Sequence, residues 1–404
     1  MNVSLKNYLT ITFNYWAFTI TDGAIRMLVV LYFHQLGYSP LEIALLFLFY
    51  EFFGIITNLV GGWLGSRIGL NLTMHIGMLL QVIALMALTV PPEWLSVAYV
   101  MAAQALSGIA KDLNKMSAKA GVKLMLPQNS VGDNSADEKR LFKWVAILTG
   151  SKNTLKGVGY FVGGFLLATA GFKGALYILA GALFVTLIYS QFTLPNNIGK
   201  STTKTKFSRL FSRSREINWL SAARFFLFGS RDVWFVVALP VFLAASLGWT
   251  HTQTGTFLAL WIIGYGFVQA GAPGLFRGRQ VTGTTAIFTT LALAIIPAGI
   301  AYAMDERFGL HLQWLLIGGL GLYAFVFAVN SAIHSYLILS YSDHDKVSVN
   351  VGFYYMANAG GRLTGTVLSG WAFQEVGLVG CLWISSAFVI TAGILSVPLR
   401  ARSL

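Results

Sequence analysis

The stretch KGVGYFVGGFLLATAGFKG at 156–174 sets a lysine inside an apolar run and follows it with glycines at 159, 164, 171 and 174. The stretch RLTGTVLSGWAFQEVGLVG at 362–380 has the same layout, with Arg362 for Lys156 and glycines at 365, 370, 377 and 380. Every one of these positions is offset by 206. A second echo lies upstream: Asp22 with Leu36, Gly37 and Tyr38 matches Asp232 with Leu247, Gly248 and Trp249 at offsets of 210 and 211. A longer loop between the fourth and fifth spans absorbs the drift. Self-similarity at a fixed offset implies one structural unit used twice.

The composition around these stretches names the solvent. Of 404 residues 56% are hydrophobic and only 11% charged, with mean hydropathy +0.67. Soluble domains carry nearer a quarter charged residues, so a soluble enzyme is excluded. At about 20 apolar residues per crossing the chain has room for roughly 12 to 14 helices. Spanning runs are read at 8–33, 41–64, 72–90, 95–113, 143–169, 174–194, 219–245, 253–275, 282–304, 312–338, 348–373 and 376–398. The expected architecture is an all-α membrane protein of twelve transmembrane helices in two parallel six-helix repeats, 1–194 and 219–404, joined by a basic linker at 195–218. Cys381 is the single cysteine and packs as a small hydrophobe, and the apolar start, interrupted by Asp22 and Arg26, is too long for a cleavable leader.

The formal charge of +13 is explained mainly by topology. Lys200, Lys204, Lys206, Arg209, Arg213 and Arg215 in the linker fall on one side with Lys6, Arg67, Lys123, Lys139, Arg140, Arg277, Arg279, Lys346, Arg400 and Arg402, and only Lys173 and Arg307 fall on the other. By the positive-inside rule both termini are expected in the cytoplasm. No nucleic-acid partner is implied.

Ionisable groups at membrane depth each cost about 2.5 to 3.5 kcal/mol on insertion scales and therefore need a function or a partner. Arg26, Lys152, Lys156, Arg224, Arg231 and Arg362 stand within spans against the acids Asp22, Glu51 and Asp232. Arginine and lysine in surplus suit an anion with phosphate or carboxylate groups, weighed against salt bridging between helices. Arg26 and Arg231 lie in symmetry-related helices, as do Lys156 and Arg362, so substrate binding is expected at Arg26, Arg231, Lys152, Lys156 and Arg362, with Asn358 and Tyr354 as polar contacts. Asp22 and Arg26, four apart, are expected to neutralise each other, whereas the adjacent Arg231 and Asp232 are expected to point apart. Arg224, near a span end, is read as an anchor.

Proton coupling would need Asp22, Glu51, Asp232 or His334, although a buried histidine is more often simply hydrogen-bonded in the core. Lys111, Lys115 and Lys119 form a stripe at four-residue spacing, either an anion vestibule at a cytoplasmic mouth or, the preferred reading, the solvated end of a long helix. Asp112 is a partner for one of them or for Lys152. No Walker P-loop, HExxH or cysteine–histidine cluster occurs, so no catalysis, metal or cofactor is expected.

Parallel six-helix repeats on either side of a basic segment indicate the major facilitator architecture, with a central cavity between the halves. Two motifs resemble that superfamily's. Gly62-Trp-Leu-Gly-Ser-Arg-Ile-Gly69 resembles its loop after the second helix, with Ser66 where an aspartate is usual. Gly159-Tyr-Phe-Val-Gly-Gly164 is similar to the fifth-helix motif of exporting antiporters, with Tyr160 replacing its proline. Within the superfamily, NYWAFTITDGAIRMLVVLYFHQLGYSP at 14–40, FLFYEFFGIITNLVGGWLG at 47–65, AQALSGIAKDLNKMSAK at 103–119 and KWVAILTGSKNTLKGVGYFVGG at 143–164 resemble the organoarsenical efflux permeases of the ArsJ family. That resemblance implies export of 1-arseno-3-phosphoglycerate across the bacterial inner membrane. Its functional partner would be glyceraldehyde-3-phosphate dehydrogenase, which makes the ester when arsenate replaces phosphate. An organophosphate or phosphate-exchange carrier of the same fold is the alternative.

Overall fold

The computed structural model describes residues 3–38, 46–125, 134–195, 198, 200, 214–249, 251–276, 280–305 and 311–401, and no strand occurs among them. The elements are α1 (Val3–Gln35), α2 (Leu48–Ile68), α3 (Leu70–Ala87), α4 (Val97–Met125), α5 (Asn134–Thr193), α6 (Arg215–Phe235), α7 (Ala238–Leu247), α8 (His251–Leu275), α9 (Gly283–Asp305), α10 (Leu312–Ser340) and α11 (Val347–Ser396). Within lipid a spanning segment satisfies its own backbone groups, which favours long helices for runs this apolar.

The glycine repeat determines how two of these helices are divided. α5 runs through Gly171 at φ 69, ψ 177, and α11 through Gly377 at φ 66, ψ −170. This region of backbone space is open essentially to glycine alone. Each glycine separates two of the runs read from sequence, 143–169 from 174–194 and 348–373 from 376–398. Among the described residues eight helical stretches are long and apolar enough to cross a membrane, and two of them, Asp137–Thr193 and Val347–Leu399, are these divided pairs. α2 and α4 supply the remaining runs as helices but are not among the eight; between them they hold Glu51, Arg67, Lys111, Asp112, Lys115, Lys119 and Lys123.

The boundaries differ from expectation in three places. α2 begins at Leu48 rather than 41, and residues 39–45 lie outside the described part. The run expected at 219–245 is interrupted between α6 and α7, where Ser369 Oγ accepts the freed amides of Val237 and Ala238 at 3.3 and 3.1 Å. α4 continues to Met125, well past its apolar portion. Of the basic linker, residues 201–213 lie outside the description, as do Arg277, Arg279 and Arg307.

The chain forms two compact units: Met1–Asp133 with Ser151–Ser212 and Ser342–Met356, and Asn134–Gly150 with Arg213–Tyr341 and Ala357–Leu404. Each takes segments from both sides of the basic stretch. α5 passes from the second unit to the first after Gly150 and α11 passes the other way after Met356, again 206 residues apart. The first unit's core gathers Ile25, Leu28, Phe33, Leu85 and Leu176, with Tyr32 stacked on Phe172 at 4.0 Å. The second is aromatic, with Trp234, Trp261, Tyr265, Tyr323 and Phe327 in mutual contact. Large apolar side chains also face outward, Phe192 at 89% and Ile295 at 72% exposure, as a lipid-facing surface requires.

Small residues bring charged helices together. A Cβ on Gly159 of α5 would lie 2.6 Å from the Ile20 carbonyl of α1 and 3.0 Å from Gly23 Cα. One on Gly365 of α11 would lie 2.6 Å from the Gly229 carbonyl of α6 and 3.0 Å from Asp232 Cβ. These close approaches set Lys156 against α1 and Arg362 against α6.

Candidate functional site

In the first unit the buried carboxylate of Asp22 accepts the Tyr50 hydroxyl of α2 and lies 3.7 Å from Lys156 Nζ of α5. Arg26, one turn along α1, reaches Glu51 of α2 at 3.2 Å, with its guanidinium 4.6 Å from the Tyr50 ring centre. Lys111 of α4 lies between acids, 3.9 Å from Glu51 and 3.6 Å from Asp112, with its ammonium 3.9 Å from the same tyrosine ring. Tyr50 is thus a hub: its hydroxyl serves the acid and its face serves two cations. The expected Asp22–Arg26 neutralisation gives way to two separate pairs, because α2 presents Tyr50 and Glu51 to successive turns of α1.

The lysine stripe is also corrected. Lys119 is only 5% exposed, and the side chains of Lys111 and Lys115 are largely buried, so the preferred reading of a solvated helix end does not hold. Lys115 donates to Asp112 at 2.5 Å, and both Lys115 and Lys119 sit against Tyr355, at 4.8 and 4.9 Å from its ring. Asp112 therefore serves Lys111 and Lys115. Lys152 is half-buried one turn before Lys156 and electrostatically close to it. Tyr354 is buried edge-on to Tyr355 in this unit.

In the second unit Asp232 is fully buried and shared between two guanidinium groups. Arg231 Nε donates to Oδ1 at 2.6 Å and Arg362 Nε to Oδ2 at 3.0 Å. Arg231 and Asp232 do not point apart as expected, because the long arginine stem folds back along α6. The acid is sealed while the arginines stay partly open, at 15% and 32% side-chain exposure. A buried carboxylate ordering two forks that still reach outward is a ready-made oxyanion surface.

Arg224 is no anchor. It is 2% exposed, donates from Nε to Asn358 Oδ1 at 2.9 Å and from Nη1 to Ser331 Oγ at 3.2 Å, and lies 3.8 Å from the Phe228 ring centre. His334 is buried in the core, but both ring nitrogens lack a hydrogen-bond partner among the described residues, contrary to the expected bonded histidine. Sequence reasoning missed Tyr50, Tyr355, Phe228 and Ser331. A signal for Phe228 was present: Arg224, Phe228 and Arg231 stand at i, i+4 and i+7 on one helix face.

The helices of Arg26 and Arg231 pack against the glycine-rich helices in corresponding ways, but the two arginines do not take equivalent positions. Gly159 packs against residues 20 and 23, and Gly365 against 229 and 232, a register of 209. On that register Arg231 stands where Asp22 does, and Phe235 where Arg26 does.

The major facilitator superfamily family model matches residues 9–305, and the chain belongs to that superfamily, whose members are transporters. No curated protein sequence matches it. Among solved structures, the chain is similar to a bacterial homologue of the iron transporter ferroportin in an outward-facing state (TM-score 0.75, 13% identity, all of both chains covered). It is likewise similar to the Escherichia coli fucose:proton symporter FucP (TM-score 0.73, 11% identity, 98% of each chain). A third is the human organic anion transporter MFSD10 (TM-score 0.72, 15% identity, 98% of each chain). At these identities the likeness concerns the fold alone.

Proposed function

We propose that this chain is a secondary active exporter of a small, multiply charged organic anion, 1-arseno-3-phosphoglycerate, across the bacterial inner membrane. In this reading both termini are cytoplasmic, the chain acts as a monomer, and glyceraldehyde-3-phosphate dehydrogenase supplies the ester without touching the carrier. The observation that carries the anion class is the imbalance of buried charge in each unit. Among the described residues of the expected spans, Arg26, Lys111, Lys152 and Lys156 stand against Asp22, Glu51 and Asp112, and Arg224, Arg231 and Arg362 against Asp232. Cations that exceed their acids at membrane depth call for a negative ligand. Arg26, Lys152, Lys156 and Tyr354 of the first unit, and Arg231, Arg362 and Asn358 of the second, are each proposed as anion-binding groups, and Asp22, Glu51 and Asp232 as groups for coupling and charge balance. The arsenical itself rests on the family resemblance of the segments at 14–40, 47–65, 103–119 and 143–164. The similar human structure is named for organic anions, in keeping with the class.

The test is arsenate accumulation in an arsenic-sensitive bacterium expressing the chain with and without the dehydrogenase. Lower accumulation with both together, and with neither alone, is the expected result. Unchanged accumulation, with the carrier in the membrane and the dehydrogenase active, assigns the chain to ordinary organophosphates instead.

A further inference from the structure

Arg224 and Arg231 flank one aromatic ring. Their guanidinium carbons lie 3.8 and 5.3 Å from the centre of Phe228, and so within about 9 Å of each other. They differ in what holds them. Arg231 shares Asp232 with Arg362, while Arg224 is held by the neutral oxygens of Asn358 and Ser331. His334 is three residues after Ser331 on the same face of α10 and faces Arg224 electrostatically. It is completely buried with both ring nitrogens unpartnered among the described residues. A buried polar group left without a hydrogen bond is costly, and an oxyanion between imidazole and guanidinium relieves the ring's N–H donor by accepting from both groups.

We propose that Arg224, Asn358, Ser331 and His334 form a second oxyanion subsite within this unit, and that with the Arg231–Arg362 pair it measures substrate length. The ligand class is a three-carbon ester carrying an anionic group at each end. Six single bonds separate the terminal phosphorus and arsenic of such an ester and four separate the phosphorus and carboxyl carbon of 3-phosphoglycerate, spans of about 7 and about 5 Å from covalent geometry, both within the reach of the two arginines. A single phosphate fills one subsite and gains nothing from the other. The inference rests on the anion-carrier reading and adds to it the residues that take the ligand's second charge. Arg224 and His334 are both sealed here, so the subsite fills in a form of the carrier that parts α6 from α10.

The test is equilibrium binding of three stable probes to the purified full chain in detergent: 3-phosphoglycerate, charged at both ends, and glycerol 3-phosphate and inorganic phosphate, each with one oxyanion. The wild type should prefer 3-phosphoglycerate by about tenfold or more, the worth of one charge-assisted hydrogen-bonded group. Arg224→Gln should erase the preference while leaving glycerol 3-phosphate binding within about twofold. His334→Asn, a smaller change should Arg224→Gln fail to fold, should cut the preference at least threefold, about half of that group's free energy. A wild type that binds both organic probes equally, or an Arg224→Gln variant that keeps the preference, overturns the subsite while the anion-carrier reading stands. A wild type that binds none of the three removes the anion-carrier reading, and the subsite with it.

Discussion

The carboxylate of Asp22 receives a tyrosine hydroxyl and lies 3.7 Å from one lysine, whereas that of Asp232 is divided between two arginines at 2.6 and 3.0 Å. The helices that carry them are repeats, and the same glycine step brings Lys156 and Arg362 to their acids. The difference comes from a one-residue displacement. In the packing register Gly23 stands where Asp232 does and Asp22 where Arg231 does, so one repeat has an acid at a position the other gives to a cation. A lysine is a compact, exchangeable point charge, while an arginine is a fixed fork that keeps its proton. Packing conserved between the repeats thus holds two trios of different chemistry, one suited to rearrangement and the other to permanent grip.

The largest expected effect follows from removing the shared acid. Asp232→Asn leaves Arg231 and Arg362 facing each other around a buried neutral amide, and breaking a buried ion pair from one side costs about 3 to 5 kcal/mol. Thermal unfolding of the detergent-purified variant should show a large loss of stability or no folded carrier. Adding Arg362→Gln should recover part of it, because a surplus cation is gone. Asp22→Asn should be milder, since one amine at 3.7 Å and a tyrosine hydroxyl are easier to rearrange. Equal losses at the two aspartates would break the distinction between the trios.

A smaller and equal pair of effects is expected where the repeats agree. Gly171 and Gly377 hold nearly the same left-handed, extended backbone, and among the described residues neither has atoms that an added Cβ would strike. Alanine at either position therefore meets backbone strain alone, about 1 to 3 kcal/mol. The same thermal assay should give matched losses, and a loss at only one of them would show that the repeat fails there.

The glycine layout was legible because one chain carries it twice at one offset, and the twelve apolar runs because lipid leaves few alternatives. Pairing was not legible. The i, i+4 rule links Asp22 to Arg26 within α1, but Tyr50 and Glu51 arrive from α2 and separate them. The lysines at 111, 115 and 119 read as solvated because the sequence does not show Tyr355 lying against two of them. Arg224 read as an anchor from its place near a span end, while its burial depends on Asn358 and Ser331, which are 134 and 107 residues distant. Charges follow tertiary neighbours more than periodicity, so intramembrane sites are the part of such a fold that sequence reads least well.

The smallest expected effect on stability is the most informative about function. Lys156→Arg and Arg362→Lys exchange the two cations while keeping charge, so each buried acid keeps a cation and folded protein should survive both. Transport should respond differently. Lys156 is surrounded by Asp22 and Arg26 of α1, Lys111 of α4 and Lys152 of its own helix, with the Tyr50 hydroxyl on the same acid. The ammonium 3.7 Å from Asp22 is a single point charge that can leave the acid and meet an anion, whereas a guanidinium would fork onto the carboxylate and hold it. Uptake of 3-phosphoglycerate into proteoliposomes should therefore slow in Lys156→Arg with little change in binding affinity. Arg362→Lys should instead weaken binding, by removing one arm of the fork on Asp232. Equal changes in rate and in affinity for the two variants would mean that the two trios differ only in strength.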